Sequence, residues 1–280
     1  MKTTILTSRR LNAFADSLRH DEKSAATIVK YTRYARMFAD FACGQALSRD
    51  MVLAFKESIA NSYTAAGANG MLTAINCLMD FLQQPGLKVS LLRVQRRLCI
   101  PVERELSRDE LERLMAAAES RDDGRLVLIL QTLFATGARV SELPFFTYEA
   151  VCHGSVEIRL KGKIRFVFLP TMLCEKLLSY AKRQSLTSGP VFVTRTGKPL
   201  DRTNIWKSMK ALCDDAEVDP AKVLPHNLRR LFARVYYGRI PSLAELADVL
   251  GHSRVDTTRL YTATTDAEYR KKLDELMLVM

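Results

Sequence analysis

The sequence contains no apolar stretch long enough to cross a membrane. Its longest apolar run, VLILQTLFA at residues 127–135, is interrupted by Gln131, whereas a membrane helix needs roughly 20 apolar residues. The N-terminal residues MKTTILTSRR also lack an apolar core of signal-peptide length before the arginines. Of the 280 residues, 48% are hydrophobic and 26% are charged. We therefore expect a soluble globular protein, without membrane contact, that is long enough for two domains.

Closely spaced cysteines are also missing. The six cysteines lie far apart and no two form a C-x-x-C pair, which argues against a zinc site or a disulfide framework and favours a reducing cytoplasm. The sequence has no G-x-x-x-x-G-K-[ST] loop, no H-E-x-x-H motif and no carboxylate cluster spaced for two metal ions. We therefore expect neither a cofactor nor a metal ion.

Positive charge is in excess, by 11 at neutral pH. The excess is uneven, because residues 1–100 hold twice as many basic as acidic residues, whereas the rest of the chain is closer to balance. A basic chain of this size can simply be soluble and cationic. The alternative is a polyanionic partner, and nucleic acid is the first candidate.

Residues 1–83 have the apolar periodicity of helices throughout. Two helices are predicted within LNAFADSLRH and TIVKYTRYARMFADFAC, a third after the cap residue Ser48, and a fourth from about Ser62 to Leu82. The face opposite the apolar stripes is basic and includes Lys30, Arg33 and Arg36. Such a face is usually only solvated, but in a small basic helical bundle it can follow the phosphates of a nucleic acid.

Residues 84–104 are predicted to be a basic linker. Pro85-Gly86 ends the helical pattern, and the basic run that follows contains Arg93, Arg96 and Arg97. Ser107 and Glu110 then form a capping box that starts a new helix. A basic linker between two nucleic-acid-binding lobes suits a clamp, although a linker can be basic without such a role.

Residues 105–280 are predicted to be mainly helical with one strand-rich insert. SVEIRLKGKIRFVFLP alternates in strand fashion on both sides of Lys161-Gly162-Lys163, which predicts a hairpin with a basic tip. PVFVT is predicted to be a last short strand. Helices are expected again from about Thr203, and Pro144 is expected to shorten the helix that starts near Arg139.

Two short segments place positive charge at helix starts. Glu142 lies three residues after Arg139 and can therefore hold its guanidinium group. In PHNLRR, Pro225 begins a helix on which His226 and Arg229 share a face, an arrangement suited to a phosphate. Arg230 is also one turn from His226, so local geometry does not choose between the two arginines.

The segment LADVLGHSRVDTTRLYT predicts a helical hairpin. Ser242 and Glu245 form a capping box, Gly251 ends the helix, and His252 lies at the bend. Tyr261 follows on the next helix, where it can approach the same point as His252. A tyrosine in a helix usually belongs to the core, so this pairing alone is weak.

The whole ordered set is more specific. TGARVSEL, the hairpin lysine, HNLRR and LGHSRVDTTRLYT resemble, in order and approximate spacing, the catalytic boxes of the tyrosine recombinase (phage integrase) family. The resemblance covers residues 105–280, with a tail helix at 266–280, and residues 1–83 are similar, by pattern only, to the SAM-like core-binding domain of that family. It implies a mainly α fold with a small antiparallel β-sheet in the C-terminal domain, arranged as a Xer-like C-shaped clamp without an arm-binding domain.

The resemblance also implies roles for individual residues. Tyr261 matches the nucleophile, Arg139 and Arg229 the arginines that bind the non-bridging phosphate oxygens, and His252 a further hydrogen-bond donor to the phosphate. Lys161 matches the lysine that protonates the leaving 5′-oxygen, with Lys163 as a rival. His226 matches the histidine that assists proton movement, and Glu142 a support of the site. The expected DNA contacts are Lys30, Arg33, Arg36, Arg93, Arg96, Arg97, Lys163 and Arg230.

The implied function is site-specific DNA recombination through a 3′-phosphotyrosine intermediate and a Holliday junction. The implied partners are double-stranded DNA with two inverted core half-sites and a homotetramer formed by exchange of the C-terminal tail, at the nucleoid in the cytoplasm. Two alternatives stay open. One is a type IB topoisomerase-like enzyme that relaxes DNA without a special site, and the other is a catalytically inactive DNA-binding regulator.

Overall fold

The computed structural model describes residues 4–93, 105–160, 163–194 and 196–251, together with Thr258, Lys271, Asp274 and Glu275. The described residues form mostly α-helices and one two-stranded antiparallel sheet. The predicted fold class, mainly α with a small antiparallel β-sheet in the C-terminal domain, is confirmed. The chain divides into two compact units between Arg96 and Arg97.

Unit 1 is a bundle of four helices. These are α1 (Ser8–His20), α2 (Ala25–Ala42), α3 (Arg49–Ser62) and α4 (Ala65–Phe81). Each helix begins after a serine or threonine whose side chain accepts a backbone N–H, and the four caps are Thr7, Ser24, Ser48 and Thr64. The fourth helix, predicted to start at about Ser62, begins three residues later at Ala65, because Ser62 ends α3 and Tyr63 and Thr64 are extended.

The core of unit 1 forms where the apolar faces of the helices meet. Phe14, Phe38, Leu72, Ile75 and Leu78 are completely buried there. After α4 the chain makes a short 3-10 turn (Pro85–Leu87) and returns along the bundle. Leu87 and Val89, within the predicted linker, are buried in the same core.

Unit 2 is built around α6, in which eight of thirteen residues are buried. Its described elements are α5 (Arg108–Ser120), α6 (Gly124–Thr136), a 3-10 segment (Val140–Phe145), α7 (Tyr148–His153), β1 (Ser155–Leu160), β2 (Lys163–Phe168), α8 (Thr171–Arg183), α9 (Arg202–Ala211), α10 (Pro225–Arg239) and α11 (Leu243–Leu250). The capping box of Ser107 and Glu110 starts α5 as predicted. Pro144 lies in the short 3-10 segment, which ends at Phe145 as expected for a helix that proline shortens.

The predicted hairpin is confirmed, with Ser155 opposite Phe168 and Arg159 opposite Ile164. The predicted strand PVFVT is wrong. Within the described residues this segment forms only isolated bridges, from Thr147 to Pro190 and from Val193 to Pro199. A proline has no N–H to donate, so neither bridge can extend into a ladder at that point.

Among the described residues, no helix is long and apolar enough to span a bilayer. The same part of the chain holds no group of three or more His, Cys, Asp or Glu side chains placed to hold a metal ion.

Candidate active site

A positively charged cavity of about 210 Å³ lies where the start of α10 faces the turn after α6. The residues that line it are Ala138, Arg139, Val140, Ser141, Arg202, Pro225, His226 and Arg229. Three of them are arginines, and none of these described lining residues is acidic. The structure therefore brings together three of the predicted site residues, Arg139, His226 and Arg229, from two separate segments of the chain.

Arg229 is held by the ends of two helices. Its Nη1 donates to the carbonyl oxygen of Gly137 and its Nη2 to that of Leu250, both at 2.6 Å. These carbonyls lie at the C-terminal ends of α6 and α11, where they have no partner within their own helices and where the helix dipole favours a cation. Arg229 is only 1% exposed, so its guanidinium is fixed before any ligand arrives.

Arg230, which the sequence could not separate from Arg229, does not line the cavity. Its side chain is half-buried, and no acceptor within the described part of the chain reaches its Nε. Arg229 is therefore the arginine of the HNLRR segment that contributes to the cavity.

Arg139 is held by Glu142, as the sequence predicted. The backbone N–H of Arg139 donates to Oε2 of Glu142 at 2.7 Å, and its Nη1 donates to Oε1 at 2.8 Å. The Arg139 side chain is 43% exposed, whereas that of Glu142 is 2% exposed. Burial alone would raise the pKa of Glu142, but hydrogen bonds from Arg165 and from the backbone of Arg139 outweigh it and lower that pKa. Glu142 therefore stays ionised beneath an arginine that faces solvent.

His226 is the titratable group of the cavity. Withdrawal of its imidazole from water lowers the pKa of His226, and the positive charges of Arg230, Arg229, Arg139 and Arg202 lower it further. Because the ordinary pKa of histidine is about 6.5, a lowered value keeps the ring neutral at pH 7. A neutral imidazole can accept a proton from a neighbouring hydroxyl group.

Two arginines, one in the cavity and one beside it, were not predicted from the sequence. Arg202, the first residue of α9, lines the cavity far from the other segments along the chain. Arg165 on β2 donates to Glu142 at 2.5 Å. The only sequence signal for Arg165 is the strand alternation, which is misleading because the apolar residues Ile164, Phe166 and Phe168 point outward and are 61%, 56% and 79% exposed.

The α11 end of the predicted helical hairpin is partly as expected. Gly251 ends α11 in a left-handed conformation with φ of +64°, directly before His252. Of the two contacts in the predicted capping box of Ser242 and Glu245, the serine contact is present and the glutamate contact is not. Ser242 Oγ accepts the backbone N–H of Glu245 at 3.2 Å, but the Glu245 carboxylate instead accepts the hydroxyl of Tyr236 at 2.6 Å and raises the pKa of Tyr236 to about 12.

Several predicted site residues lie outside the described residues. These are Lys161, His252, Tyr261, Arg96 and Arg97. Lys163 is the first residue of β2, but its side chain is not described. Their predicted roles therefore stay predictions.

The basic face of α2 is accessible in unit 1. Lys30, Arg33 and Arg36 are all exposed, and so is Arg93 beyond α4. The ammonium of Lys30 lies 5.7 Å and the guanidinium of Arg33 5.1 Å from the centre of the Tyr34 ring. Both side chains thus lie against a buried aromatic ring, while they themselves are exposed to solvent.

Residues 104–268 match the phage integrase family. The chain is 28% identical over 280 residues to the tyrosine recombinase XerA of Thermococcus kodakarensis, and this alignment covers 96% of the chain and 95% of that protein. It is 32% identical over 178 residues to the tyrosine recombinase XerD of Halalkalibacterium halodurans, and this alignment covers 59% of the chain and only 58% of that protein. A lambda integrase tetramer bound to a Holliday junction aligns over 93% of the chain and 78% of the integrase chain, with a TM-score of 0.74 and 16% identity, which shows a common fold.

Proposed function

The chain belongs to the phage integrase family and is a site-specific DNA recombinase, and on that premise we propose how its own residues cut and rejoin DNA. The hydroxyl oxygen of Tyr261 attacks the scissile phosphorus, which forms a 3′-phosphotyrosine and releases a 5′-hydroxyl group. A 5′-hydroxyl from the partner duplex then attacks the phosphotyrosine and regenerates the tyrosine. Two such exchanges lead into and out of a Holliday junction. The phosphodiester bond energy is kept in the phosphotyrosine throughout.

The cavity around Arg229 is the observation that carries this proposal. Negative charge on the phosphate grows toward the transition state, so fixed positive groups are the main source of acceleration. Arg229 is preorganised by two helix ends, and Arg139 by a buried carboxylate. At about 210 Å³ the cavity is smaller than the ~300–1,000 Å³ typical of sites for drug-sized ligands, which suits a single phosphate group of a longer polymer.

Proton transfer is assigned to the remaining groups. Tyrosine has an ordinary pKa of about 10 and needs a base or a cationic site to attack at neutral pH. The lowered pKa of His226 supports its role in taking up the tyrosine proton. Lys161 protonates the 5′-oxygen as it leaves, with Lys163 as the alternative, and His252 donates a hydrogen bond to the phosphate.

DNA contacts outside the cavity are assigned to exposed basic residues. On unit 1 these are the α2 face with Lys30, Arg33 and Arg36, followed by Arg93. Arg96 and Arg97, in the linker region 84–104, are assigned with them. On unit 2 the assigned DNA contacts are Arg230 and Lys163, the alternative to Lys161. Contacts of this kind go mainly to phosphates, and they position the enzyme rather than read the sequence.

We also propose that the active form is a homotetramer on two copies of a site with inverted core half-sites. The tail at 266–280 carries an apolar stripe, Leu273, Leu276, Met277 and Val279, which we expect to dock on a neighbouring protomer. The outward row of Ile164, Phe166 and Phe168 on β2 is an exposed apolar surface suited to receive it. A relative in fold, lambda integrase, has been crystallised as a tetramer on a Holliday junction. We expect the substrate to be chromosomal or mobile-element DNA, which places the enzyme at the nucleoid in the cytoplasm.

Two variants test the assembly. Deletion of residues 267–280 is expected to abolish recombination, and Phe168→Ser, at a residue that is 79% exposed, is expected to reduce it without unfolding the protein. Light scattering with site-containing DNA should show loss of the tetramer in both cases. Unchanged recombination by the deletion variant would rule out tail exchange.

Covalent capture tests the chemistry. The protein and its Tyr261→Phe variant are expressed in cells that carry the native flanking DNA, the lysate is denatured, and the DNA that stays bonded to the protein is sequenced. Enrichment at one locus, absent from the variant, is the expected result. Equal and empty recovery from both, despite specific non-covalent binding, would favour a regulator. Relaxation of a plasmid without that locus would favour a topoisomerase.

A further inference from the structure

Arg165 is a charged residue on the buried side of the hairpin. It pairs with Ile158 across the sheet and lies between Ile164 and Phe166, whose side chains point outward. The Arg165 side chain is only 12% exposed. A buried guanidinium is unfavourable unless it is paired and hydrogen-bonded, so the partners of Arg165 show why it is there.

In the described part of the chain, the hydrogen bonds of Arg165 go to Glu142 and to the C-terminal end of α11. Nη2 donates to Oε2 of Glu142 at 2.5 Å, and Nε lies 3.4 Å from Oε1 of the same carboxylate. Nη1 donates to the carbonyl oxygen of Val249 at 2.9 Å, at the end of α11. A Cβ at Gly251 would collide with Cδ of Arg165. The side chain is therefore clamped between the end of α11 and Glu142.

Glu142, which Arg165 holds in place, in turn holds Arg139. The two oxygens that receive Arg165 also receive the backbone N–H and Nη1 of Arg139, at 2.7 and 2.8 Å. The carboxylate is thus shared by a buried arginine on one side and a solvent-facing arginine on the other. The buried arginine is fixed, so it determines where the carboxylate, and with it the solvent-facing arginine, can lie.

We propose that Arg165 is a positioning residue for strand cleavage, which holds the guanidinium of Arg139 against the scissile phosphate through Glu142. The inference rests on the proposed function of the Arg139 cavity. It requires the planar fork of arginine, because one side chain must reach both the carboxylate and the Val249 carbonyl. A lysine keeps the charge but has a single nitrogen and cannot make both contacts in the same geometry.

The test compares Arg165→Met and Arg165→Lys with the wild type and with Arg108→Met. Arg108 is the control because it is also an arginine of unit 2, forms an ion pair with Glu112 on α5 at 3.0 Å and is 67% exposed. The substrate is a plasmid that carries the genomic DNA flanking the gene. Covalent protein–DNA complex is counted after denaturation, with protein in saturating excess over DNA, and DNA affinity is measured separately.

Both Arg165 variants are expected to cleave more slowly by roughly 10- to 100-fold, since misplacing a catalytic group by about 1 Å can cost on the order of 10²-fold. DNA affinity should change little, and Arg108→Met should cleave at the wild-type rate. Combining Arg165→Met with Arg139→Lys should slow cleavage little beyond Arg139→Lys alone, because both changes remove the same contact to the phosphate. Multiplicative effects would overturn the proposal.

A further variant distinguishes the proposed positioning role of Arg165 from a role in protein stability alone. Arg165→Met leaves the Glu142 charge buried with one partner fewer, and Glu142→Gln removes that charge. The double variant is expected to recover thermal stability but not cleavage. Recovery of both would show that Arg165 serves only the fold. Wild-type cleavage matched by both Arg165 variants would overturn this inference alone, whereas absence of any covalent complex with the wild type would overturn the proposed function and this role together.

Discussion

At the scale of single residues, both the backbone conformation and the close packing at position 137 require a glycine. It ends α6 with φ of +60°, and a Cβ there would lie 2.5 Å from Cδ1 of Phe232. Gly154 has a similar φ of +71°, but nothing lies within 4 Å of its missing side chain. The two glycines therefore separate the effect of backbone conformation from the effect of crowding.

We predict that Gly137→Ala destabilises unit 2 more than Gly154→Ala does. Gly154→Ala should cost about 1–2 kcal/mol for the left-handed backbone, whereas Gly137→Ala adds about 1–3 kcal/mol of overpacking. Urea unfolding followed by the fluorescence of Trp206 measures this, since Trp206 on α9 is the one tryptophan in the sequence. Equal losses would show that the Phe232 ring moves aside without cost.

His226 is predicted to respond to an anion in the cavity. Without a ligand its pKa is lowered by desolvation and by the surrounding arginines, and a bound phosphate offsets that positive charge and should raise the pKa. Imidazole NMR titration with and without inorganic phosphate measures the change, and His226→Gln assigns the resonance. His153, which does not line the cavity, should not respond. A His226 signal indifferent to phosphate would contradict an anion site.

Glu142 is predicted to make unit 2 sensitive to acid. Its pKa is lowered in the folded protein, so its contribution to stability is complete above the unfolded pKa of about 4.3 and is lost as the pH falls through the folded value. Glu142→Gln should cost roughly 3–5 kcal/mol at pH 7, because it leaves buried positive charge without its counter-ion. The difference in unfolding free energy between the wild type and Glu142→Gln should shrink as the pH falls, and urea unfolding followed by Trp206 fluorescence measures it. Glu119→Gln, at an exposed position of α5, should show neither effect.

At the scale of elements, the parts predictable from sequence are those governed by local rules. The caps Ser48 and Ser107 and the hairpin of β1 and β2 each follow from a few neighbouring residues. The prediction of a strand at PVFVT was wrong because Pro190 and Pro199 interrupt the pairing of this segment. The buried face of β2 could not be read from alternation, since the Glu142 carboxylate, distant in sequence, draws Arg165 inward and leaves the apolar row outside.

The return segment after α4 is an element that local patterns did not reveal. The side-chain amide of Asn76 donates to the Val89 carbonyl at 2.9 Å and accepts the Val89 N–H at 3.0 Å. Asn69 makes the same pair of contacts with Leu92, at 3.0 and 2.7 Å. Each asparagine therefore replaces one residue of a neighbouring strand.

We predict that Asn76→Ala releases this segment from the bundle. Two hydrogen bonds are lost, each worth about 0.5–1.5 kcal/mol net, and the backbone groups of Val89 become available to solvent exchange. Hydrogen–deuterium exchange of residues 87–92 should accelerate while α1 and α2 stay protected. Asn61→Ala, at an exposed position of α3, is the matched control. Unchanged exchange at Val89 would show that burial of its side chain holds the segment without the amide.

At the scale of the whole molecule, the net charge of +11 attracts DNA whatever the arrangement of the basic residues. Binding through specific phosphate contacts differs from this general attraction, because each contact releases counterions and adds about 0.9 to the slope of log affinity against log salt. The exposed face of α2 is the proposed site of such contacts in unit 1. Lys182 on α8 is also exposed but is not assigned to DNA.

We predict that Lys30→Gln combined with Arg33→Gln lowers the salt slope by about 1.8 in total, if each side chain contacts one phosphate. The loss of affinity should be similar for specific and non-specific DNA, because phosphate contacts carry no sequence information. Lys182→Gln removes one charge and should leave the slope almost unchanged. Fluorescence anisotropy at several salt concentrations measures all three proteins. If Lys182→Gln lowers the slope as much per charge as the α2 variant does, attraction by total charge explains the binding, and α2 has no special role.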